Sequence, residues 1–363
     1  MKPASRLALP FPVGERAIQR IWAEGRCLLP AQTASGLVLE VIHPGKWNRL
    51  GGPDFLDAEI TLNGIHRRGD IEFHLHAKDW NHHSHTQDPA YRNVILHAVL
   101  FEPITPILTF DGIEPESLHL LPLLPEDLES IAESDALMEL RGNAPQLAEL
   151  IRAGNPHLQR DLRRRASERF EAKSQWLTHR RTKLGWHDSL HCAVLECLGQ
   201  GGNRAPMAEL ALRHSAESFA MSDAAELYLE QSGRWRLRGL RPAGHPQRRI
   251  ELYRNLCQHR PQWREHVVRW LTSVPQKDAT RRGLLDGIFG AMLPEGLADM
   301  VATDAILPLS EDTQAALETW LEWPAGLRPD ELEDVRQRLG FEGRARNWQI
   351  QGILHTLGRG GKS

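Results

Sequence analysis

Residues 53–76 read PDFLDAEITLNGIHRRGDIEFHLH and contain two alternating segments joined by a short turn. Apolar and polar residues alternate over residues 55–62, as they do on a strand with one buried face. Asn63 and Gly64 form a dipeptide that is typical of tight hairpin turns. Residues 70–76 then predict the return strand of an antiparallel hairpin. The polar face of that return strand carries Glu72, His74 and His76.

The segments on either side extend the hairpin into a mixed sheet. Residues 14–24 place apolar side chains on one helical face, and residues 37–42 predict a strand before the hairpin. Residues 93–100 are almost wholly apolar, which predicts a central strand that is buried on both faces. A short helix at residues 89–93 and an edge strand at residues 107–110 complete the pattern, whose core order is α, β, β, β, α, β.

The second part of the chain has helical periodicity. At 363 residues the chain is long enough for two domains. We therefore predict an α+β protein, with an N-terminal mixed-sheet domain over residues 1–122 and an all-α domain over residues 123–363. The predicted helices of the second domain cover residues 126–141, 146–153, 156–181, 187–198, 206–214, 223–231, 248–271 and 311–320.

The composition is that of a globular protein, with 41% hydrophobic and 25% charged residues. No segment approaches the roughly 18 uninterrupted apolar residues of a membrane span, and the N-terminal residues lack the apolar core of an export signal. We therefore expect a cytoplasmic protein without a membrane partner. The four cysteines form no C-x-x-C pair, as expected in a reducing compartment. The formal net charge of −3 gives the whole chain no basic character of the kind that binds nucleic acid.

Carboxylates and imidazoles are concentrated between Asp54 and His97. Oxygen ligands suit magnesium and manganese, whereas imidazole suits zinc, manganese and iron. Histidine also titrates near neutral pH, so it can move a proton to or from a water. This pattern predicts a metal site, and a solvated polar strand face is the alternative for Glu72 and His74. His97 lies inside an apolar strand, which is more typical of a buried, hydrogen-bonded histidine than of a ligand.

An acidic residue at the start of one strand, followed by an E-x-basic pair on the next, resembles the active site of the PD-(D/E)xK nuclease superfamily. Here Asp54 follows Pro53, and Glu72 and His74 form the pair; the αβββαβ order is also that superfamily's core order. The resemblance implies that Asp54 and Glu72 bind Mg²⁺ or Mn²⁺, with Zn²⁺ less favoured, and that His74 orients or deprotonates the attacking water. His74 replaces the usual lysine and lacks its permanent charge. Glu15 corresponds to the extra metal-binding glutamate that some members carry on the first helix.

The segment after the hairpin resembles one branch of that superfamily, the very-short-patch mismatch-repair endonucleases. These enzymes have a P-D strand start, a return strand ending in histidine and then a W-H-x-H run. This chain has WNHHSH at residues 80–85, with one inserted residue, and lacks the cysteine zinc site of those enzymes. The residues predicted from this segment are His82 or His83 for catalysis, and His76 and His85 as further metal ligands.

The register of the hairpin decides whether Asp54 reaches Glu72. A strict two-residue turn would set Asp54 opposite Phe73, on the apolar face of the sheet. A one-residue bulge at Gly64 or Gly69 would shift Asp54 onto the polar face, and such bulges are common near active sites. Without a bulge, the carboxylate partners would be Asp57 and Glu59.

Basic residues outnumber acidic ones over residues 160–183, within and just beyond the predicted helix at residues 156–181. A phosphate-binding helix face would contact nucleic acid, with DNA favoured, and each phosphate contact would make this binding more sensitive to salt. A solvated helix face with ion pairs is the alternative. The residues predicted to contact nucleic acid are Arg163, Arg164, Arg169, Lys173, Arg180 and Arg181.

A longer pattern resembles a widespread bacterial family of unknown function. It includes GDIEFH at residues 69–74, and it continues through LRPAGHP at residues 240–246 and ARNWQIQG at residues 345–352. This resemblance covers most of the chain and implies no activity.

Three functional hypotheses follow from the sequence. The first is a metal-dependent nuclease whose helical domain holds the nucleic acid. The second is a non-catalytic nucleic-acid or protein-binding module on a degenerate nuclease fold. The third is a zinc or manganese hydrolase that acts on a small molecule through the histidines His74, His76, His83 and His85.

Overall fold

A computed structural model describes most of the chain. The described residues form an N-terminal unit, residues 13–125, and a helical unit, residues 126–358. The N-terminal unit is built on a mixed sheet, so the prediction of an α+β protein with a helical second part is confirmed. The structure describes residues 13–126, 128–141, 157–200, 202–238, 240–272, 281–328 and 330–358.

The described part of the N-terminal unit contains a seven-stranded sheet. Its strands are β1 (Ala31–Gln32), β2 (Val38–His43), β3 (Lys46–Trp47), β4 (Phe55–Leu62), β5 (Ile65–His76), β6 (Val94–Phe101) and β7 (Glu116–His119). They lie in the order β1-β2-β4-β5-β6-β7, and β3 pairs with β4 beside this path. β4 is antiparallel to β5, whereas β5, β6 and β7 are parallel. The strand that carries Glu72 and His74 therefore lies in the interior of the sheet.

The alternation in β4 produces one fully buried face, on which Phe55, Ala58 and Ile60 have no exposed surface. β6 is buried along most of its length, as its apolar sequence predicts for a central parallel strand. Gly69 allows β5 to approach the start of β6 closely, because a Cβ at this position would lie 2.6 Å from the carbonyl oxygen of Asn93.

Helix α1 (Glu15–Ala23) packs on the sheet through its apolar face. The ring of Trp22 meets the ring of Phe73 edge-on, with 5.6 Å between their centroids. A short helix, α2 (Asp79–His82), and two 3₁₀ turns, His85–Gln87 and Pro89–Tyr91, connect β5 to β6. This connection is a parallel crossover, which runs back from the carboxyl end of β5 to the start of β6.

The prediction of an edge strand at residues 107–110 is wrong, because these residues form no strand. The strand beside β6 is β7 instead. Ile107 is buried in a small apolar cluster with Trp80. The indole N–H of Trp80 also donates a 3.1 Å hydrogen bond to the carbonyl oxygen of Leu108. Side-chain packing and this hydrogen bond hold the segment in place without strand pairing.

The helical unit packs its helices around one large apolar core. The single helix predicted over residues 248–271 is in fact two helices, separated near Pro261. The helix predicted over residues 146–153 lies outside the described residues. The helices are α3 (Leu128–Arg141), α4 (Leu158–Leu198), α5 (Arg204–Arg213), α6 (Ala216–Met221), α7 (Ala224–Glu230), α8 (Pro246–His259), α9 (Trp263–Thr272), α10 (Glu295–Val301), α11 (Thr313–Glu322), α12 (Asp330–Arg338) and α13 (Asn347–Gly358), with a π-helical segment at Gly283–Phe289.

Helix α4 is interrupted at Gly185, whose φ of 77° and ψ of 178° are not helical. The four cysteines of the chain are buried, with free thiols. Across the described residues, none of the helices combines the length and the apolar character that crossing a membrane requires.

Candidate metal centre

A β-bulge in β4 brings Asp54 beside Glu72. The hairpin keeps a regular register from its turn as far as residue 58. Beyond that point Leu56 and Asp57 stand opposite the single residue Asp70, and Asp57 adopts a left-handed conformation with φ of 57°. The extra residue shifts the register by one, so Asp54 aligns with Glu72. The bulge lies at Asp57, and not at either of the two glycines that the sequence suggested.

Three acidic side chains from three elements meet beside this bulge. The backbone N–H of Asp54 donates to Glu72 Oε2 at 3.0 Å, and that of Phe73 donates to Asp54 Oδ2 at 2.9 Å. Glu15 on α1 accepts a 3.3 Å hydrogen bond from the backbone N–H of Leu75. Burial, reinforced by the charges of Glu72 and Glu15, raises the pKa of Asp54 to about 8. Burial, with a further contribution from Glu15, raises the pKa of Glu72 to about 8.

The segment after β5 turns two histidines toward these carboxylates. Ser84, which separates His83 from His85, has a left-handed φ of 62°. Trp80 is fully buried just before this turn, and its indole N–H donates to Thr86 Oγ1 at 3.0 Å. Because Trp80 fixes the segment and Ser84 reverses it, His83 and His85 approach the same space.

The ring nitrogens of His74, His83 and His85 converge beside Glu72. His74 Nε2 lies 3.3 Å from His83 Nδ1 and 3.6 Å from Glu72 Oε1. His85 Nε2 lies 3.3 Å from the same oxygen. One potential ligand atom from each of the three histidines lies within 4.8 Å of the other two. His74 is 1% exposed and Glu72 is 5% exposed, whereas His83 is exposed, so the group opens to solvent beside His83.

Burial keeps His74 and His85 neutral. Burial, reinforced by the neighbouring imidazoles, lowers the pKa of His74 to about 2, and burial lowers the pKa of His85 to about 4. Neutral imidazoles offer a lone pair to a metal ion. Nε2 of His85 is buried and has no hydrogen-bond partner among the described residues. A buried polar atom in this state calls for a partner, and a metal ion at the convergence of the four side chains would supply one.

His97 on β6 supports His74 from behind. Its Nε2 lies 2.9 Å from His74 Nδ1, and burial lowers the pKa of His97 to about 4. With His74 Nδ1–H donating to His97, Nε2 of His74 is left with its lone pair toward the other histidines. This is the buried, hydrogen-bonded position that the apolar sequence of β6 indicated.

His76 lies outside the group, although it follows Glu72 and His74 on the polar face of β5. Its ring packs 5.3 Å from the ring of Phe101. Its backbone N–H donates to Asp79 Oδ2 at 3.0 Å. The structure therefore places His76 at the end of the strand, where it does not join the predicted ligands.

Gln19 is a site residue that the sequence analysis missed. Its side chain hydrogen-bonds to Asp54 and accepts a 3.3 Å hydrogen bond from the indole N–H of Trp47. Gln19 lies one turn after Glu15 on α1 and is buried. Its only signal in the sequence was its position four residues after Glu15 in the amphipathic segment of α1.

Helix α4 does not present one exposed basic face. Lys173 Nζ lies 2.9 Å from both Glu129 Oε1 and Asp304 Oδ1, and Arg169 lies 3.1 Å from Glu133. Both basic side chains are buried. The prediction that Arg169 and Lys173 contact nucleic acid is therefore wrong, because such a contact would leave buried carboxylates without their cations.

The other four basic residues predicted on this helix also have partners within the helical unit. Each is paired with an acidic side chain, and one of them also donates to a backbone carbonyl. The pairs are Arg163 with Glu322, Arg164 with Glu168, Arg180 with Glu196, and Arg181 with Glu311 and the carbonyl oxygen of Leu309.

One protein family matches this chain. Its model, described as a protein of unknown function (DUF2851), covers residues 15–230, a span that includes every side chain of the metal centre described above. No significant match was found to a curated protein or to a solved structure. Because the family model covers more than half of the chain, the chain belongs to the DUF2851 family, as its sequence resemblance to a family of unknown function predicted.

Proposed function

We propose that the N-terminal unit is a metal-dependent hydrolase of phosphodiester bonds, with a nuclease-type centre on β4 and β5. The metal would be held by His74, His83, His85 and Glu72. The observation that carries this proposal is the convergence of ring nitrogens from three histidines, His74, His83 and His85, two of which also lie within 3.6 Å of one carboxylate oxygen of the buried Glu72.

The donor set favours zinc, followed by manganese. Donors around a tetrahedral ion at zinc's usual bond lengths lie about 3.3–3.7 Å apart. Three of the separations fit this spacing: 3.3 Å from His74 to His83, 3.6 Å from His74 to Glu72 and 3.3 Å from His85 to Glu72. Magnesium, which the sequence pattern favoured together with manganese, prefers an all-oxygen set and fits less well. When bound, such an ion supplies a Lewis acid that stabilises negative charge developing on a phosphate oxygen.

The position of Asp54 supports a role in orienting and deprotonating the attacking water. The backbone N–H of Asp54 donates to Glu72, and its carboxylate accepts from the backbone N–H of Phe73. Asp54 is partly exposed, whereas Glu72 is buried, so Asp54 can meet both solvent and the metal ligands. His74, to which the sequence assigned this role, is better placed as a ligand because its two nitrogens face His97 and His83.

The arrangement of the sheet supports a phosphodiester as the substrate. The N-terminal unit has the αβββαβ order of PD-(D/E)xK nucleases, formed by helix α1, strands β2, β4 and β5, helix α2 and strand β6. Asp54 precedes β4, and Glu72 and His74 lie on β5, as the acidic and basic residues do in that pattern. Fold-level likeness alone does not establish a substrate, so the substrate class stands as a proposal.

A second candidate is a histidine-ligated hydrolase of small molecules. The imidazole-rich donor set favours it, because three histidines exceed the single basic residue of the nuclease pattern. A non-catalytic binding module is the third candidate function. The experiment described next distinguishes the three candidates.

The test uses the full chain, stripped with a chelator and reloaded with zinc, manganese or magnesium. Labelled single- and double-stranded DNA and RNA serve as substrates, with bis-p-nitrophenyl phosphate as a small diester. Nucleic acid should be cut with zinc or manganese, and His83→Ala should abolish both cutting and metal binding. His82→Ala is the matched control, since His82 is an exposed neighbour outside the ligand group.

Each other outcome selects a different function. Hydrolysis of the small diester without cutting of nucleic acid would favour the second candidate. Salt-sensitive binding of nucleic acid without hydrolysis would favour the non-catalytic module. Failure to bind any of the three metals would contradict the proposal itself.

A further inference from the structure

The helical unit contains a cavity of about 510 Å³. A second cavity of about 400 Å³ adjoins it, and Ala243, Arg249 and Leu327 line both. The two sequence motifs that the metal centre leaves unexplained meet at the larger cavity. They contribute Leu240, Arg241 and Gly244 from residues 240–246, and Asn347, Ile350 and Gln351 from residues 345–352.

The walls of the larger cavity are largely apolar. Leu137, Leu332 and Leu354 line it together with Ile350. Cavities of this size and character, with a small number of convergent polar groups, are typical of sites for small organic molecules. The body of a ligand in this cavity would therefore be apolar.

Arg249, on helix α8, supplies a cation at the wall. Its Nε and Nη1 atoms are buried and have no hydrogen-bond partner among the described residues. By contrast, Arg328 at the same cavity donates to Glu333 and to the carbonyl oxygen of Ala325. Buried N–H groups without a partner are costly, and a negatively charged oxygen of a carboxylate or phosphate would satisfy such a group.

Gln351, on helix α13, supplies an acceptor. Its side-chain Nε2–H donates to Asn347 Oδ1 at 3.2 Å. Its Oε1 is buried and lacks a hydrogen-bond partner in the described part of the chain, and the residue is 9% exposed. A hydroxyl or amine of a bound molecule would satisfy this oxygen.

We propose that this cavity binds a small organic anion, a carboxylate or a phosphate monoester on an apolar body. The anionic group contacts Arg249, and a hydrogen-bond donor on the body contacts Gln351. The site is separate from the metal centre of the N-terminal unit and does not depend on the function proposed there.

The experiment measures binding of octanoate, octyl phosphate and 1-octanol to the full chain, by calorimetry and by the shift in melting temperature. Either anion, or both, should bind, and the comparison identifies the preferred head group. The neutral alcohol should bind more weakly. Arg249→Met should weaken anion binding on the order of thirtyfold or more. Arg338→Met is the control, because Arg338 is exposed and does not line the cavity.

Arg249→Met also removes two buried nitrogen atoms that lack hydrogen-bond partners among the described residues, so the ligand-free variant should melt no lower than the wild type. A folded variant that has lost the ligand-induced shift would therefore support the site. Three results would overturn the proposal: equal binding of 1-octanol, equal anion binding by Arg249→Met, or no binding of either anion at millimolar concentration.

Discussion

The backbone N–H of Asp54 donates a 3.0 Å hydrogen bond to Glu72 Oε2, although a regular hairpin would have set Asp54 opposite Phe73. The bulge at Asp57 creates this relationship, because it adds one residue to β4 between the turn and Asp54. A local backbone conformation in one strand therefore determines which side chains meet at the candidate site.

We predict that Asp57→Val disrupts the site, whereas Asp57→Gly preserves it. Asp57 has a φ of 57°, and a left-handed conformation costs residues with a Cβ about 1–2 kcal/mol, with β-branched residues the least tolerant. The valine variant should unfold at lower urea concentration and bind metal more weakly than the glycine variant. Equal metal affinity in the two variants would contradict a role for the bulge in holding the ligand Glu72 through the backbone N–H of Asp54.

His97 is predicted to tune the metal site without binding the ion. His97→Phe removes the acceptor for His74 Nδ1–H, so metal affinity should fall roughly 10–100-fold, as when other supporting hydrogen bonds are lost. His97→Gln, which can still accept a hydrogen bond, should recover part of the loss. Calorimetric titration with zinc measures both variants, and an unchanged affinity in His97→Phe would contradict this role.

The stability of the metal-free protein should fall as pH rises from 6.5 to 8. The pKa values of Asp54 and Glu72 are raised to about 8, so over this range the folded protein holds protons that the unfolded chain has released. The free energy of unfolding should decrease by up to about 1.4 kcal/mol per pH unit for each group. Below pH 6.5 the lowered pKa values of His74, His85 and His97 have the opposite effect: they make the free energy of unfolding increase as pH rises.

Urea unfolding at several pH values, after removal of metal, tests this dependence. Asp54→Asn should reduce the decrease in the free energy of unfolding between pH 6.5 and 8. The variant retains Glu72 but lacks the carboxyl group of residue 54, so only one of the two raised pKa values remains. A wild-type stability that is constant or rises over this interval would contradict the assigned environment of the two carboxylates.

The basic residues of helix α4 should differ sharply in their effect on stability. Lys173→Met leaves the buried carboxylates of Glu129 and Asp304 short of a cation and should cost about 3–5 kcal/mol. Arg164→Met breaks an exposed pair with Glu168 and should cost about 0.5 kcal/mol or less. Denaturant unfolding compares the two, and a similar small effect for both would mean that Lys173 is not held in the core.

The hairpin could be predicted from the sequence because its alternation is a local signal. β4 has the predicted bounds, Phe55–Leu62, and the return strand ends at His76 as predicted, but it begins at Ile65 and not at residue 70. The edge strand at residues 107–110 was wrong because Ile107 packs against Trp80, a tertiary contact that no local periodicity encodes. β7 was missed because a strand of only four residues, Glu116–His119, carries too little alternation to recognise.

The site was predictable in its residue types but not in its geometry. The density of histidine and acid pointed to the segment from Asp54 to His97, but only the left-handed turn at Ser84 brings His83 and His85 together. The burial of Lys173 could not be foreseen either, since its partner Asp304 lies more than a hundred residues away in the sequence.

Anomalous diffraction at the zinc absorption edge, from crystals of the full chain grown with zinc, locates the metal ion itself. We expect a strong peak among His74 Nε2, His83 Nδ1, His85 Nε2 and Glu72 Oε1. A zinc-loaded crystal without a peak at these four atoms, or with its strong peak at other residues, would contradict the proposed metal centre.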